Sequence, residues 1–430
     1  MLVAHVGLRD FRNCGRGEIE LSDGLTIVCG PNGAGKTNLL EAIYFGLTAR
    51  SCRTSNEREV VGHGGGLARV AVTTIRDGER HVLETALDLN EGKRVRVDGS
   101  PAGGPASLDA RPPVCVFIPD RLELVKGAPA HRRAHLDRFV AAVWPSRAGT
   151  RVAYGRALGQ RNALLARVRS GGASAAQLDA WDDQLGRSGA ALMEDRSEAV
   201  EQLAPCFAAR TTELGLPLRA AIRYRPRSRA QDALALTAEL AERRSQDIER
   251  GFTTHGPHRD DLVLTHDDRA LRSFGSQGQQ RLSVLALLFA ERDVLAERGR
   301  EPLMLLDDVM SELDASRRAR LVQAILASGQ TLVTAADPEH LPGAAPATAL
   351  AAVQRHWPAV AGARVAAEAE PVRERDGVVT VACRSAVWAN ELDLLAADLV
   401  GRLNDALEPV SGRRPVRRLR CVTRSDAAAV

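Results

Sequence analysis

The run Gly30-Pro31-Asn32-Gly33-Ala34-Gly35-Lys36-Thr37 follows the pattern G-x-x-x-x-G-K-[ST]. Glycines let a loop wrap closely, so that successive backbone N–H groups point at phosphate oxygens. A helix starting just after such a loop adds the positive end of its dipole. In this pattern Lys36 reaches the β- and γ-phosphates and the Thr37 hydroxyl ligates Mg²⁺. Only Lys36, Lys93 and Lys126 are lysines in a chain with 58 Lys+Arg, so a chance lysine at this spot is improbable. The chemistry implied is nucleoside triphosphate binding, with ATP and Mg²⁺ as the expected ligands.

A phosphate loop needs a second acid at the end of a neighbouring strand. Pro302-Leu303-Met304-Leu305-Leu306-Asp307-Asp308 supplies it. The apolar run suits a parallel strand covered on both faces. Asp307 is expected to hold Mg²⁺, directly or through water, and Asp308 to polarise the attacking water. About 270 residues lie between the two motifs, far more than in compact GTPase-like domains. That gap is the plan of ABC-type and SMC-type ATPase heads, in which an insertion interrupts the head. The plan calls for a third motif just before the acid. Phe274-Gly275-Ser276-Gln277-Gly278-Gln279-Gln280-Arg281 fits it, with Ser276, Gln277 and Gly278 at the start of a helix. The same residues also suit a simple N-capped loop. In the signature reading they touch the γ-phosphate held by a partner head, so that ATP drives homodimerisation.

These motifs fix which elements must exist. Leu25–Cys29 reads as the strand before the loop, and residues 38–47 as the helix after it. Residues 70–97 read as a strand meander with turns at Asp77-Gly78 and Asn90-Glu91-Gly92. The texture then becomes Ala- and Arg-rich and helical. Further on, the pattern predicts a helix over 279–298, a strand over 303–306, a helix over 315–328 and a strand over 331–333. A Pro/Gly/Ala-rich stretch follows, then a piece reading helix, strand (378–382), helix (388–407) and strand (416–422). The expected organisation is an α/β P-loop head in two halves, 1–128 and 251–340, around a helical lobe, 129–250. A linker at 341–347 leads to a small α+β domain at 348–425.

Composition agrees with a globular protein. The 430 residues are 44% hydrophobic and 26% charged, with net charge +4. The longest apolar run, near 282–290, falls short of the ~20 residues of a membrane helix, so no membrane partner is expected. Seven scattered cysteines without CxxC argue against a disulfide framework and fit the cytoplasm.

Several runs together resemble the RecF family. They are Arg9-Asp10-Phe11-Arg12-Asn13, residues 30–43, residues 119–137, Gln160-Arg161-Asn162, residues 253–262, FGSQGQQR and LLDDVMSELD. The resemblance covers about residues 1–340 and implies an SMC-like ATPase of recombinational repair and replication. It implies ATP-dependent dimerisation on gapped or junction DNA, co-operation with RecR and RecO, indirect loading of RecA, and a role in the SOS response. Arg12 and Asn38 are implied as further nucleotide-contacting positions. Asp308 stands where transporter ATPases usually carry glutamate, one methylene longer, so turnover is expected to be slow. No switch histidine is evident; Thr334-Ala335-Ala336-Asp337 stands there instead.

The tail resembles the DciA (DUF721) family, which is linked to the replicative helicase and resembles KH domains. Trp357, residues 376–381, 385–392 and 402–404 carry that likeness, without a clear GxxG. Arg413, Arg414, Arg417, Arg418, Arg420 and Arg424 read either as a solvated edge strand or as a phosphate-contacting strip. A transporter ATPase would want an LSGGQ-like signature, and a long-armed SMC protein hundreds of heptad residues; neither is here. An ATP-binding DNA scaffold with negligible hydrolysis stays open.

Overall fold

The structure is a computed structural model that describes residues 1–31, 33–62, 64–102, 111–216, 219–311, 313–336, 348–411 and 415–423. The chain divides into two compact units, Met1–His340 and Leu341–Val430. Asn32, the linker 341–347, and Arg413, Arg414 and Arg424 lie outside the described residues.

The first unit holds two large sheets. Strands β1 (Leu2–Phe11), β2 (Cys14–Glu20), β4 (Leu67–Arg76), β5 (Glu79–Asp88), β6 (Gly92–Val97) and β7 (Ser100–Pro101) form an antiparallel sheet, ordered β2-β1-β4-β5-β6-β7. Strands β3 (Leu25–Cys29), β8 (Val114–Phe117), β12 (Leu303–Asp307) and β13 (Thr331–Ala335) form a parallel sheet, ordered β3-β13-β12-β8. β12 and β13 are buried at every residue, as an apolar strand between neighbours should be. β3, at the edge of this sheet, is only half-buried throughout.

Helix α1 (Lys36–Thr48) lies in one core with both sheets, and Leu39 to Leu47 are all buried. Its contact with β4 is so close that a Cβ at Gly46 would meet Val72 at 2.6 Å. The two sheets are also tied by Gln330, whose side-chain amide accepts from Val3 N at 2.8 Å and donates to Val3 O at 2.6 Å.

The insertion carries α2 (Pro129–Val143), α3 (Thr150–Arg169), α4 (Leu178–Glu213), α5 (Ala233–Glu242) and α6 (Arg244–Arg250). It is not wholly helical. β9 (Ala220–Arg225) pairs antiparallel with β10 (Asp261–His266), which also pairs with β11 (Arg269–Ala270). The helix α7 (Gln277–Ala296) precedes β12, and α8 (Ala315–Leu326) connects β12 to β13.

The second unit has its own core, built from α9 (Ala349–Ala361), β14 (Ala369–Arg375), β15 (Val378–Cys383), α10 (Ala386–Leu394), α11 (Ala396–Ser411) and β16 (Arg418–Thr423). The sheet order is β14-β15-β16, antiparallel then parallel. Two expectations fail here. β14 was not anticipated, because Pro371 and its charged neighbours mask the strand pattern. The single helix expected over 388–407 is two helices, interrupted at Leu395. Among the described residues no helix is long and apolar enough to cross a membrane.

Candidate nucleotide site

The phosphate loop is the turn between β3 and α1, and its backbone needs glycine. Gly33 has φ 86° and Gly35 φ 96°, in the left-handed region. Gly35 also packs so tightly on Asn13 that a Cβ there would lie 3.0 Å from Asn13 Oδ1. The Lys36 ammonium donates to Gly30 O at 2.7 Å and Pro31 O at 3.0 Å, so it lies along the loop.

β12 delivers the acids to the same place. The Thr37 hydroxyl donates to Asp307 Oδ2 at 2.7 Å. The Thr334 hydroxyl, at the end of β13, donates to Asp307 Oδ1 at 2.6 Å and accepts from Asp308 N at 3.1 Å. Asp307 is 4% exposed, so both its oxygens are fixed by hydroxyls in a nearly dry setting. A hydroxyl and a carboxylate are the hard oxygen donors that Mg²⁺ takes, with waters and substrate phosphates completing its octahedron. The residues present therefore fit the expected ion. Asp308 turns away from the strand with φ 48°. Thr334 had no role in the sequence reading; a hydroxyl closing an apolar strand was the available signal.

Arg12 also sits in a left-handed conformation, φ 54°. Its guanidinium makes a two-pronged pair with Glu41 of α1 at 2.9 and 2.8 Å. That hydrogen-bonded pairing raises its pKa further. Glu41 is fully buried and also takes Ser51 Oγ at 2.5 Å and Arg53 at 3.3 Å. Asn38 donates to Asn13 Oδ1 at 2.6 Å and accepts from Arg53 at 2.8 Å. Arg12 and Asn38 thus join one network on the flank of α1, beside the loop.

The third motif is a helix start in full. Ser276 caps α7 by accepting from Gln279 N at 3.3 Å, and Gln279 Oε1 accepts from Ser276 N at 2.8 Å. Ser276, Gln277 and Phe274 are exposed. Among the described residues no hydrogen bond joins 276–278 to 30–38. Arg281, one turn into α7, is tied instead to the acid turn of the same chain: it donates to Asp308 O and to Ser311 Oγ, the latter at 3.2 Å, over the Phe117 ring.

The remaining family-like runs fasten the insertion. Arg161 is fully buried and donates to Asp182 at 2.6 Å, Asp247 at 2.7 Å and Thr253 Oγ1 at 2.8 Å. Asn162 Oδ1 accepts from Thr253 N at 2.8 Å. Arg132 forms a two-pronged pair with Asp261 at 2.7 and 3.0 Å. Arg196 does the same with Asp137, at 2.7 and 3.0 Å, and donates to Pro257 O at 2.8 Å. Residues 119–137, 160–162 and 253–262 are therefore one interlocked structural network.

Comparison with known proteins agrees with this anatomy. An AAA domain family matches residues 5–107, and the family described as Dna[CI] antecedent, DciA, matches residues 329–421. The DNA replication and repair protein RecF of Streptomyces avermitilis is 38% identical over 358 residues, spanning 80% of this chain and 95% of that protein. A solved structure of the recombination mediator protein RecF-ATPrS in the RecFOR pathway superposes with TM-score 0.72 at 26% identity, covering 80% of this chain and 94% of that one. Its RecF-ATP counterpart gives 0.71 at 26%, over 78% and 92%. An Smc head bound to the C-winged helix domain of ScpA gives 0.50 at 16% identity, a likeness of fold alone, over 79% and 91%.

Proposed function

The chain belongs to the RecF family of DNA replication and repair proteins, and from that premise we propose an ATP-switched dimer acting on gapped or junction DNA in the cytoplasm. In this role it works with RecR and RecO to help load RecA. The observation that carries the reading is the 2.7 Å contact between Thr37 and Asp307, which joins the phosphate loop to the second acid.

The chain's own groups divide the work. Backbone N–H groups of the loop and the start of α1 hold the phosphates, and Lys36 swings from Gly30 O and Pro31 O to the β- and γ-oxygens. Thr37 and Asp307 would hold Mg²⁺, which when bound neutralises charge on the phosphate oxygens. Asp308 orients the attacking water and accepts its proton. Arg12 and Asn38 fix the flank of the loop. Ser276 and Gln277, both exposed, and Gly278, half-buried, cover the γ-phosphate held by a second copy. Arg281 then relays that contact to the acid turn.

Sedimentation with ATP, ADP or no nucleotide, with and without gapped DNA, tests the proposal. Dimers only with ATP, and more of them on gapped DNA, are expected. A monomer under every condition would overturn it, and dimers with no ATP turnover would favour the DNA scaffold reading.

A further inference from the structure

Residues 223–229 read Arg-Tyr-Arg-Pro-Arg-Ser-Arg, an arginine at every second position and no acid. They are the end of β9 and the segment that follows it, and β9 is an edge strand among the described residues. Strand alternation sets Ile222 and Tyr224 on one face and Arg223 and Arg225 on the other. Ile222 is buried, and the Tyr224 hydroxyl donates to the buried Asp260. Past the strand the alternation of burial continues. Ser228 is buried, while Arg227 and Arg229 are exposed like Arg223 and Arg225.

This stretch is held from inside. Asp260 Oδ1 accepts from Arg227 N at 2.6 Å. Glu239 of α5 accepts from Ser228 Oγ at 2.6 Å and from Arg229 N at 3.2 Å. These acids bond the backbone and the hydroxyl, and the guanidinium groups are left outside. Among the described residues no hydrogen bond or ion pair involves the side chains of Arg227 and Arg229. Two acids stand near the other pair. Asp268 lies 3.0 Å from Arg223, with side chains 76% and 65% exposed, so this ion pair is weak. Asp261 lies 4.0 Å from Arg225, but each of its oxygens is already bonded by Arg132.

The result is a fixed row of cations. Alternate residues of an extended chain are about 6.7 Å apart, a repeat that consecutive phosphates of one nucleic-acid strand can follow. A guanidinium fork matches two phosphate oxygens. The one aromatic residue of the run, Tyr224, faces inward, so no base stacks here and the contact is with the backbone alone.

We propose that Arg223, Arg225, Arg227 and Arg229 form the strip on which the first unit holds the sugar–phosphate backbone of duplex DNA, without reading its sequence. This rests on the DNA reading above and names the surface that serves it. β10 pairs with all of β9 and carries His266, whose Nε2 is 3.0 Å from Ser283 Oγ of α7. A backbone seated on β9 is therefore one strand away from the helix whose first turn is offered to a second copy.

The test measures binding of the full chain, with ATP, to a labelled duplex oligonucleotide over a series of salt concentrations. Each phosphate neutralised on duplex DNA contributes about 0.9 to the slope of log K against log salt. Changing all four arginines to glutamine should lower that slope by about 2 or more and weaken low-salt binding at least about tenfold. Arg227→Gln with Arg229→Gln alone should give about half of that loss of slope. Glutamine at Arg80, Arg94, Arg156 and Arg187, exposed elsewhere on the unit, should leave the slope within about 1 of the parent. An unchanged melting temperature and ATP-dependent dimerisation without DNA report an intact first unit in every variant. An unchanged slope in the fourfold variant, an equal loss in the control variant, or polyglutamate bound as tightly as the duplex through the same four arginines would each overturn the strip alone. A parent chain that binds no DNA at low salt would overturn the DNA reading with it.

Discussion

Thr37 and Asp307, 270 residues apart in the chain, share a 2.7 Å hydrogen bond between a hydroxyl and a carboxylate. β13 stands between β12 and β3, the strand that leads into the loop and α1, and Thr334 at its end holds the other oxygen of Asp307. The geometry of the acid is thus set by α1, β12 and β13 at once. A change at any of the three residues should move the metal position without moving the fold.

Lys36→Arg should abolish productive ATP use while leaving the melting temperature near that of the parent. A planar guanidinium keeps the charge but cannot sit as a compact ammonium between two phosphates. ATP hydrolysis should fall about 100-fold or more, the scale of losing one well-aimed group on a developing charge. Parental turnover would remove the loop from the reaction.

Asp308→Asn should bind ATP and accumulate as a dimer. Asparagine adopts the left-handed φ of 48° at this position at less cost than most residues, so the turn held by Arg281 survives. The amide cannot take a proton from water. Turnover should drop about 100-fold while ATP-dependent sedimentation as a dimer persists, and normal turnover would mean another group is the base.

Ser276→Arg should spare ATP binding by single chains and prevent ATP-driven dimerisation. Losing the cap of α7 costs about 1 kcal/mol, which a long helix packed on the core absorbs. Ser276→Asn keeps a capping oxygen and serves as the control, and should dimerise better than the arginine variant. Equal dimerisation by both variants and the parent would refute the signature role.

Arg161→Ala should destabilise the first unit more than any change at the nucleotide site. It removes the buried cation shared by two carboxylates, leaving Asp182 to Arg244 and Asp247 to Thr254, at a cost of about 3 kcal/mol. A fall of about 5 °C in melting temperature is expected for a unit of this size. Arg161→Lys keeps a charge but not the fork, so it should fall between. A melting temperature within a degree of the parent would show that the network is slack.

His258 gives the first unit an acid sensitivity. Tyr154 Oη donates to its Nδ1 at 2.7 Å and its Nε2 donates to Thr253 O at 3.1 Å, an arrangement that needs a neutral ring. Burial lowers its pKa to about 4, with Arg259 and Arg133 adding to the effect and Asp247 opposing it. The unfolded chain takes up this proton near pH 6.5 and the folded one does not. Stability is therefore fully present above pH 6.5 and declines as pH falls toward 4, by about 3 kcal/mol in all. Between pH 7.5 and 5.0, His258→Gln should lose about 2 kcal/mol less than the parent in urea unfolding. Equal losses would assign the acid sensitivity elsewhere.

What the sequence made legible was local. Glycines at positive φ, a lysine, a hydroxyl and an Ser-x-x-Gln helix start announce their own geometry, so the loop and the α7 cap could be read directly. Thr334 could not, because its role exists only once β13 lies between β3 and β12. β9 was hidden because Ala220–Arg225 sits in helical texture and becomes a strand through pairing with residues beyond 260. The bulge of β14 between Pro371 and Arg373 is set by its register with β15, which no local pattern encodes.

The strand order also has a temporal side. Among the described residues, β3 pairs only with β13, residues 331–335. At about 5–20 residues per second, the ~300 intervening residues take some 15–60 s to synthesise. For that time the strand before the phosphate loop has no ladder partner, and the sequence separation makes its pairing slow to nucleate. The nucleotide pocket is consequently the last part of the first unit to be assembled. A chain that ends before β13 lacks both the ladder partner of β3 and the Thr334 hydroxyl that fixes Asp307.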